Sequence, residues 1–312
     1  MIASFGVIVG SLALFVILSG FSGLRTFNYN LLDVSDPDIK ITAIKGKSFF
    51  VTADLMENLH QNLSIKETSN IVEERVFLEY NDKTEIAYIK GVEENYTNVS
   101  KIDAALSAGT WLQTDYSNTA VIGRGISNKL SLGILNYGVP LKIMIPKPGT
   151  GFINPRNPFY KIKTQIVGIY VGTEEFESKY VFTSIEQARS LLRYKENQVT
   201  SIELKLTDVQ EADAVASFLG ERLGKAFKVQ TKAQLNAVFY KVINTENFVS
   251  YLIFTLIVII ALFNVTGAII MMIIDKKQNL KTLFNLGATL KEIKKIFIFQ
   301  GFLLTFFGMC VG

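Results

Sequence analysis

A few residues of this 312-residue chain have the types and spacing that catalysis would need. His60 is the only histidine, so a Ser-His-Asp arrangement would depend on it alone. It falls on the polar side of a short predicted helix, where we interpret it as an exposed helical residue. The tripeptide Gly46-Lys47-Ser48 matches the end of a P-loop, but that pattern requires glycine where this chain has Ile41. We therefore interpret the tripeptide as a turn.

The other candidates for a metal or nucleotide site are also incomplete. Asp33, Asp36 and Asp38 surround a proline without the further ligands of a calcium loop, so we interpret them as the solvated entry to a strand. Neither GRGISN nor GTG completes a dinucleotide fingerprint. The single cysteine, Cys310, allows no intrachain disulfide and no cysteine metal cluster. We predict that the chain is not an enzyme by itself and holds neither a metal nor a cofactor.

Three apolar stretches would position the rest of the chain relative to a membrane. Residues 1–24, 247–274 and 296–312 contain no charged residue. Stretches of about eighteen or more such residues are typical of membrane-spanning helices, although the third is slightly short. The second would form a helix of about 42 Å, against a hydrocarbon core of about 30 Å. The first lacks the positive n-region of a cleaved signal peptide, so we favour a membrane anchor over that alternative.

The excess positive charge lies in one short segment. Residues 275–295 hold six lysines and two acids, which accounts for the whole formal net charge of +4. Short lysine-rich loops beside membrane segments face the cytoplasm. We therefore predict that residues 275–295 are cytoplasmic and that residues 25–246 lie in the periplasm. No aromatic platform or groove-reading motif accompanies the lysines, so we predict no binding of nucleic acid.

This lysine-rich segment has the pattern of a helix, a glycine turn and a second, capped helix. Leu280, Leu283 and Phe284 share one face of the first helix, which is amphipathic. Gly287, followed by Ala288, would end that helix, and TLKE then forms a capping box. Either the lysines anchor the membrane ends while the apolar stripe lies on lipid, or the stripe and the Gly-Ala corner dock into a groove of a cytoplasmic partner. The residues alone favour neither interpretation.

The region between residues 25 and 246 predicts an α+β domain, with two lobes. Alternating apolar patterns predict strands at residues 38–51, 70–80, 85–92, 139–145, 164–171 and 201–206. Helical patterns occupy residues 54–63, 184–194 and 209–223. The segment KPGTGFINPRNP, residues 147–158, has three prolines and two glycines and can continue neither element. It is either a functional protrusion or an ordinary long hairpin connection.

Several stretches resemble one family of membrane proteins. NVTGAIIMMIIDKKQNLKTLFNLGATLKEIKKIFIFQGFLLTFFGMCVG is similar to the second and third transmembrane segments of MacB/FtsX-like ABC permeases. The DK helix end, the LGA corner and the QG in the next helix are most similar to lipoprotein-releasing (Lol-type) permeases. GVIVGSLALFVILSGFSGL resembles their first helix, and AVIGRGISNKLSLGILNYGVPLKIMIPKP and EEFESKYVFTSIEQARSLL resemble blocks of their external domain.

The resemblance implies an α-helical membrane protein with a large α+β periplasmic domain inserted between transmembrane helices 1 and 2. Helix 1 would be residues 1–24, the two-lobed MacB-like domain 25–246, helix 2 residues 247–274, a cytoplasmic coupling segment 275–295, and an incomplete helix 3 residues 296–312. The family also has a cytoplasmic segment before helix 1 and a fourth helix. We therefore expect this chain to be truncated at both ends.

The resemblance also implies a function, that of a multi-pass permease subunit in a bacterial inner membrane. It would extract acylated lipoproteins from that membrane and pass them to a periplasmic carrier. A separate cytoplasmic ABC ATPase dimer, holding ATP-Mg, would drive it, and a second permease subunit, identical or different, and membrane lipids are further expected partners. The ATPase-coupling residues would be Leu280, Leu283, Phe284, Gly287 and Ala288.

The family's carrier-recruiting hook corresponds in position to residues 147–158. The candidate carrier-binding residues are therefore Lys147, Pro148, Phe152, Pro155, Arg156 and Pro158. Two alternatives stay open: a MacB-type efflux permease for peptides or antibiotics, and an FtsX-like transmembrane signalling subunit.

Overall fold

The computed structural model describes residues 8–9, 12–13, 15–23, 36–113, 116–134, 139–147 and 158–311. The chain forms two compact units, one of residues 29–237 and the other of the chain on either side of it. The larger unit is α+β, as the sequence predicts. The smaller is helical apart from its turns, wherever the structure describes it.

The larger unit contains twelve strands among its described residues. Their bounds are β1 (Ile39–Ala43), β2 (Phe49–Phe50), β3 (Ile65–Tyr80), β4 (Lys83–Val92), β5 (Leu106–Gly109), β6 (Thr119–Gly123), β7 (Leu141–Pro146), β8 (Phe159–Tyr170), β9 (Tyr180–Ser184), β10 (Gln198–Val199), β11 (Ser201–Leu206) and β12 (Phe227–Thr231). Ten form one sheet in the order β12-β1-β11-β3-β4-β9-β6-β8-β5, with β7 pairing both β3 and β8. β2 and β10 form a separate pair.

The length of β3 explains how one sheet forms two regions. Its first half pairs with β11, where Ile71 faces Ser201, and its second half pairs with β7, where Phe77 faces Met144. Because β7 also pairs with β8, the strands β3, β4, β9, β6, β8 and β7 form a closed ring. β12, β1 and β11 extend from β3 as an open sheet. The domain predicted as two lobes is thus one continuous sheet whose two regions share a strand.

Side-chain alternation along the strands produces two apolar cores, one on each face of the sheet. Adjacent residues of β3, Ile71 and Val72, belong to different cores, as do Val121 and Ile122 of β6. A period of two residues places neighbours on opposite faces, so one strand can serve both cores. The larger core fills the ring and extends over the open sheet, and the smaller is aromatic, with Phe182 among its buried residues.

Short helices cover these faces. Their bounds are α1 (Ala53–His60), α2 (Tyr96–Val99), α3 (Arg124–Leu130), α4 (Glu174–Glu177), α5 (Ile185–Leu192), α6 (Ala212–Leu223) and α7 (Lys232–Leu235). The Asp208 side chain caps a 3₁₀ turn, Val209–Glu211, that leads into α6, and Gly224 follows α6 with a φ of 67°. These two residues mark the start and the end of this helical segment. α1 ends at His60 rather than at residue 63.

The GRGISN sequence has a packing role. A Cβ on Gly123 would lie 1.9 Å from the carbonyl oxygen of Glu177, and one on Gly125 would lie 2.2 Å from the Ser178 hydroxyl. Only glycine lets α3 begin this close to the end of α4. Both glycines therefore serve the close packing of α3 against the end of α4.

The smaller unit ends in three helices, α8 (Ala237–Asp275), α9 (Lys277–Asn285) and α10 (Leu290–Val311). Among the described residues, one helical stretch is long and apolar enough to cross a membrane, Phe248–Asp275, and no residue of its most apolar window is buried. It coincides with the second predicted segment, apart from one residue at each end. The first and third predicted segments remain predictions. A Cβ on Gly301 of α10 would lie 3.0 Å from the Ile269 side chain, so α8 and α10 pack together there.

Several predicted strand bounds need correction. The stretch 38–51 is two strands, β1 and β2, because the chain turns at Gly46, which has a φ of 84°. β8 begins five residues before the predicted start, at Phe159, since it must pair with all of β7. The interpretation of Asp38 as solvated is wrong: it is 1% exposed. Asp36 is half-buried, and Asp33 lies outside the described residues.

Candidate functional site

The corner between α9 and α10 is a Schellman motif. The N–H of Ala288 donates to the carbonyl of Leu283 over 3.1 Å, and the N–H of Gly287 donates to that of Phe284 over 3.0 Å. Gly287 has a φ of 96°, which favours glycine. These two bonds satisfy carbonyl groups that a helix end otherwise leaves unpaired. The predicted order of helix, glycine turn and capped helix is confirmed.

Apolar side chains project from this corner. Phe284 is 57% exposed and Leu283 is 40% exposed. Leu286 and Leu290, on either side of the glycine, are still more exposed, at 79% and 74%. Leu280 and Ala288 are half-buried. The five predicted coupling residues thus lie together, but the apolar tip consists of Leu283, Phe284, Leu286 and Leu290; we call these four residues the corner tip.

The start of α10 is fixed by a capping box. Glu292 accepts hydrogen bonds from the N–H and the hydroxyl of Thr289, both at 2.8 Å, while its own N–H donates to the Thr289 hydroxyl over 3.4 Å. These bonds lower the pKa of Glu292 below its ordinary value. The carboxylate therefore serves the helix start and stays charged at neutral pH.

A basic collar of lysines flanks the corner tip in the sequence. Six exposed lysines form it: Lys276, Lys277, Lys281, Lys291, Lys294 and Lys295. Within the part of the chain that the structure describes, no carboxylate lies within ion-pair distance of any of them. An exposed apolar tip with uncompensated positive charge can bind an apolar groove that has an acidic rim, or a lipid surface.

The predicted carrier-binding loop connects two strands that form a regular hairpin, β7 and β8. β7 and β8 pair as far as Pro146 and Phe159, and the N–H of Lys147 donates to the carbonyl of Pro158 over 2.9 Å. The ring of Tyr160 lies between two cations, 5.5 Å from the Lys147 ammonium and 5.1 Å from the Arg193 guanidinium. Lys147 and Pro158 are half-buried, and Pro148, Phe152, Pro155 and Arg156 lie outside the described residues.

A buried ionic cluster that no sequence pattern indicates lies on the aromatic face of the sheet. Glu203 is fully buried, lies 2.9 Å from the Lys90 ammonium and accepts a hydrogen bond from the Tyr96 hydroxyl over 3.1 Å. The Lys40 ammonium lies 2.8 Å from Glu73 and 3.5 Å from Glu203, so it joins the two carboxylates. These four charged residues stand on β1, β3, β4 and β11, up to 163 positions apart, and no short motif could have revealed them.

Burial and neighbouring charges shift the pKa values of three groups of this cluster. Burial alone would raise the pKa of Glu73, but the ammonium groups of Lys40 and Lys90 outweigh burial and lower it to about 2. Burial would likewise lower the pKa of Lys40, but the carboxylates of Glu73 and Glu203 raise it. The pKa of the Tyr96 hydroxyl is raised, first by burial and then by Glu203. The shifts of Glu73, Lys40 and Tyr96 favour a charged carboxylate, a charged ammonium and a neutral hydroxyl near neutral pH.

Asp38 forms a second buried charge site. Its carboxylate lies 3.0 Å from the Lys205 ammonium and 3.4 Å from that of Lys232, and it accepts a hydrogen bond from the N–H of Leu206 over 3.0 Å. The two lysines come from β11 and α7, far from Asp38 in sequence. The aspartate cluster at the strand entry signalled a polar position, but its partners could not be found without the fold.

The remaining chemical candidates have structural roles or are not described. Gly46-Lys47-Ser48 is a turn, as predicted, and the Lys47 ammonium lies 2.9 Å from Glu74. The His60 side chain lies outside the described part of the chain. Among the described residues, no group of three or more histidines, cysteines or acids could hold a metal ion.

Comparison with known proteins agrees with this architecture. The family model for the MacB-like periplasmic core domain matches residues 1–221. The lipoprotein-releasing system transmembrane protein LolE of Haemophilus influenzae is 26% identical over 316 aligned positions, covering 99% of this chain and 74% of LolE. LolC of Neisseria meningitidis is 28% identical, covering 62% of this chain and 45% of LolC.

Solved structures are similar as well. The periplasmic region of MacB from Actinobacillus actinomycetemcomitans has a TM-score of 0.45 and 13% identity, and the match covers 68% of this chain and 96% of that region. The resemblance to lipoprotein-releasing permeases that the sequence motifs indicate is therefore confirmed by the sequence relatives.

Proposed function

This chain belongs to the family of proteins with a MacB-like periplasmic core domain, and we propose that it is the permease subunit of an ABC transporter that releases lipoproteins from a bacterial inner membrane. The similarity to LolE along almost the whole chain supports the cargo. The chain itself would perform no chemistry, and ATP-Mg would be bound by a separate ATPase dimer.

The proposed topology follows from apolar surface and charge. Residues 1–24, 247–274 and 296–312 would cross the membrane, residues 25–246 would form the periplasmic domain, and residues 275–295 would face the cytoplasm. The apolar window of Phe248–Asp275, in which no residue is buried, supports the second crossing, because such a surface is stable only in lipid or against other apolar helices. The lysine collar supports the cytoplasmic assignment.

The corner tip is the observation that carries the proposal. It presents four exposed apolar side chains, 8 to 15 residues after the end of α8, at a turn fixed by the Schellman bonds and the capping box. We propose that the ATPase dimer docks on it, with Leu280, Leu283, Phe284, Gly287 and Ala288 among the contacts. α8 is one continuous helix of 39 residues, about 58 Å long, and would carry the motion outward.

The ten-residue insertion above the β7–β8 hairpin supports a second contact. The pairing of β7 with β8 and the Lys147–Pro158 bond fix the two ends of this insertion. We propose that this loop recruits a periplasmic lipoprotein carrier. A second permease subunit and membrane lipids complete the proposed assembly.

Charge in the corner tip should separate docking from membrane insertion. Leu283→Asp/Phe284→Asp would place two carboxylates in an apolar interface where each native side chain contributes about 1.5–3 kcal/mol. We therefore expect an at least 100-fold weaker association with the ATPase and loss of lipoprotein release, with normal insertion into membranes. Co-purification of the ATPase and release of an acylated reporter lipoprotein from membranes measure these effects.

The matched control is Val209→Asp/Phe218→Asp, which changes two exposed apolar residues of the external domain. It should leave ATPase association unchanged. Normal association of the Leu283→Asp/Phe284→Asp variant would contradict docking at the corner. The variant could lose association as expected while the cargo trapped in the wild-type complex is a peptide without acyl chains. That result would favour the MacB-type efflux alternative.

A further inference from the structure

Asp38 stands at the corner of the open sheet where the chain both enters and leaves. β1 begins one residue after Asp38, and Ile39 pairs with Leu204 of β11 on one side and with Thr231 of β12 on the other. Thr231 is the last residue of β12, and α8 begins six residues later. The carboxylate therefore lies beside the segment that leads into the long helix.

The contacts of Asp38 connect three chain segments. Lys205 and the N–H of Leu206 hold it from β11, and the Lys232 ammonium reaches it from α7. Its backbone carbonyl also accepts a hydrogen bond from the N–H of Lys232 over 3.0 Å. The Lys232 residue as a whole is only 7% exposed. Water and salt therefore screen this pair little, and it holds its geometry better than a surface pair would.

The link from Lys232 to α8 is short and hydrogen-bonded. A capping box between Thr231 and Gln234 fixes the start of α7. Asn236 is the one residue between α7 and α8, and both its N–H and its side-chain amide donate to the Lys232 carbonyl over 3.1 Å. A displacement of the first residues of α8 must therefore move Lys232 as well.

The two lysines on Asp38 differ in what else joins their segments to β1. Lys205 lies on β11 opposite Glu67 of β3, next to a register shift at Leu206, and β11 is held between β3 and β1 by strand pairing on both sides. Lys232 follows Thr231, the last residue of the edge strand β12, and its backbone is joined to Asp38 by the N–H bond to the Asp38 carbonyl. Its ammonium adds a side-chain link between Asp38 and the start of the helical segment.

We propose that Asp38 and Lys232 are positioning residues that transmit displacement of α8 into the periplasmic sheet. Lys205 anchors Asp38 in the sheet and does not itself carry the displacement. This inference rests on the proposed function, because it assumes that ATP binding moves α8 from the cytoplasmic side.

The test compares Lys232→Met with Lys205→Met in the full complex with its ATPase, reconstituted in proteoliposomes. Each variant removes one ammonium from Asp38. We expect Lys232→Met to retain ATP hydrolysis but to lower lipoprotein release per ATP by about tenfold, whereas Lys205→Met should keep that ratio within about twofold. Lys232→Arg, which keeps the charge, should restore the ratio. Should Lys232→Met fail to assemble, Lys232→Gln replaces it with the same expected direction.

A loss of release per ATP that is equal in Lys232→Met and Lys205→Met would overturn the inference, as would an unchanged ratio in Lys232→Met. A separate measurement follows the motion without depending on the cargo. It records the distance between spin labels at exposed Leu63 and at Lys281, in a Cys310→Ser background. A wild-type complex that releases no lipoprotein, yet shows an ATP-dependent distance change that Lys232→Met abolishes, would refute the proposed cargo and support the inference.

Discussion

Removing Lys90 tests whether the buried ionic cluster stabilises the periplasmic domain. In Lys90→Met the Glu203 carboxylate would stay fully buried and would keep only the Tyr96 hydroxyl at 3.1 Å and the Lys40 ammonium at 3.5 Å. Lys40 is already committed to Glu73 at 2.8 Å. Leaving one charge of a buried pair uncompensated costs about 3–5 kcal/mol. For a domain of this size, that lowers the unfolding midpoint by roughly 6–20 °C.

The chain contains a suitable reporter of this unfolding. Trp111 is its only tryptophan, and its ring centroid lies 5.3 Å from that of Phe182 in the smaller core. The Lys90 ammonium lies 5.9 Å from the same Phe182 ring. Thermal unfolding followed by tryptophan fluorescence, on the full chain in detergent, therefore reports the region next to the substitution.

A double variant separates the loss of charge balance from the loss of packing. Lys90→Met/Glu203→Leu removes both charges and should recover most of the lost stability, because replacing a whole buried pair with apolar groups is often neutral. A midpoint for Lys90→Met within about 2 °C of the wild type would refute the reasoning, since it corresponds to no more than about 1 kcal/mol. So would a double variant that is no more stable than the single one.

Two further predictions concern pH and the loop. Because the pKa of Glu73 is lowered to about 2 from 4.5, the unfolded chain takes up this proton first as pH falls, so the stability that Glu73 contributes above pH 4.5 is lost between about pH 4.5 and pH 2. Glu73→Gln should flatten the pH dependence of the thermal unfolding midpoint, followed by tryptophan fluorescence, in that window. An unchanged slope would contradict the lowered pKa of Glu73. Replacing residues 148–157 with Asn-Gly should keep β7 and β8 paired, with a midpoint change below about 4 °C, while transfer of lipoprotein to a carrier falls. Transfer at the wild-type rate would rule out carrier binding by the loop.

Features fixed by neighbouring residues were predictable from the sequence. The capping box of Thr289 and Glu292 and the glycine turn at Gly287 depend on spacings of three or four positions, and the structure has both. The apolar span of α8 was visible for the same reason, since an uninterrupted run of apolar residues is a local property. Strand positions also followed from alternation, but their ends did not, because pairing partners decide where a strand stops.

Exposure at the corner was only partly predictable. The amphipathic pattern singled out Leu280, Leu283 and Phe284, yet Leu280 is half-buried, whereas Leu286 and Leu290 are the most exposed of these apolar residues. A helical pattern gives the direction of a side chain around one helix. It does not show what the neighbouring helix covers, nor how a turn redirects the residues beside it.

The sequence by itself determined the class of the protein: its apolar spans, the location of its excess charge, its α+β external region and the family it resembles. Only the tertiary structure decided which charges are buried. The polar residues before Asp38 predict a solvated side chain. Its partners in the structure, Lys205 and Lys232, are more than 160 positions away. β1 lies between β11 and β12, and that arrangement brings them together. Long-range strand pairing sets such contacts, and no local pattern encodes it.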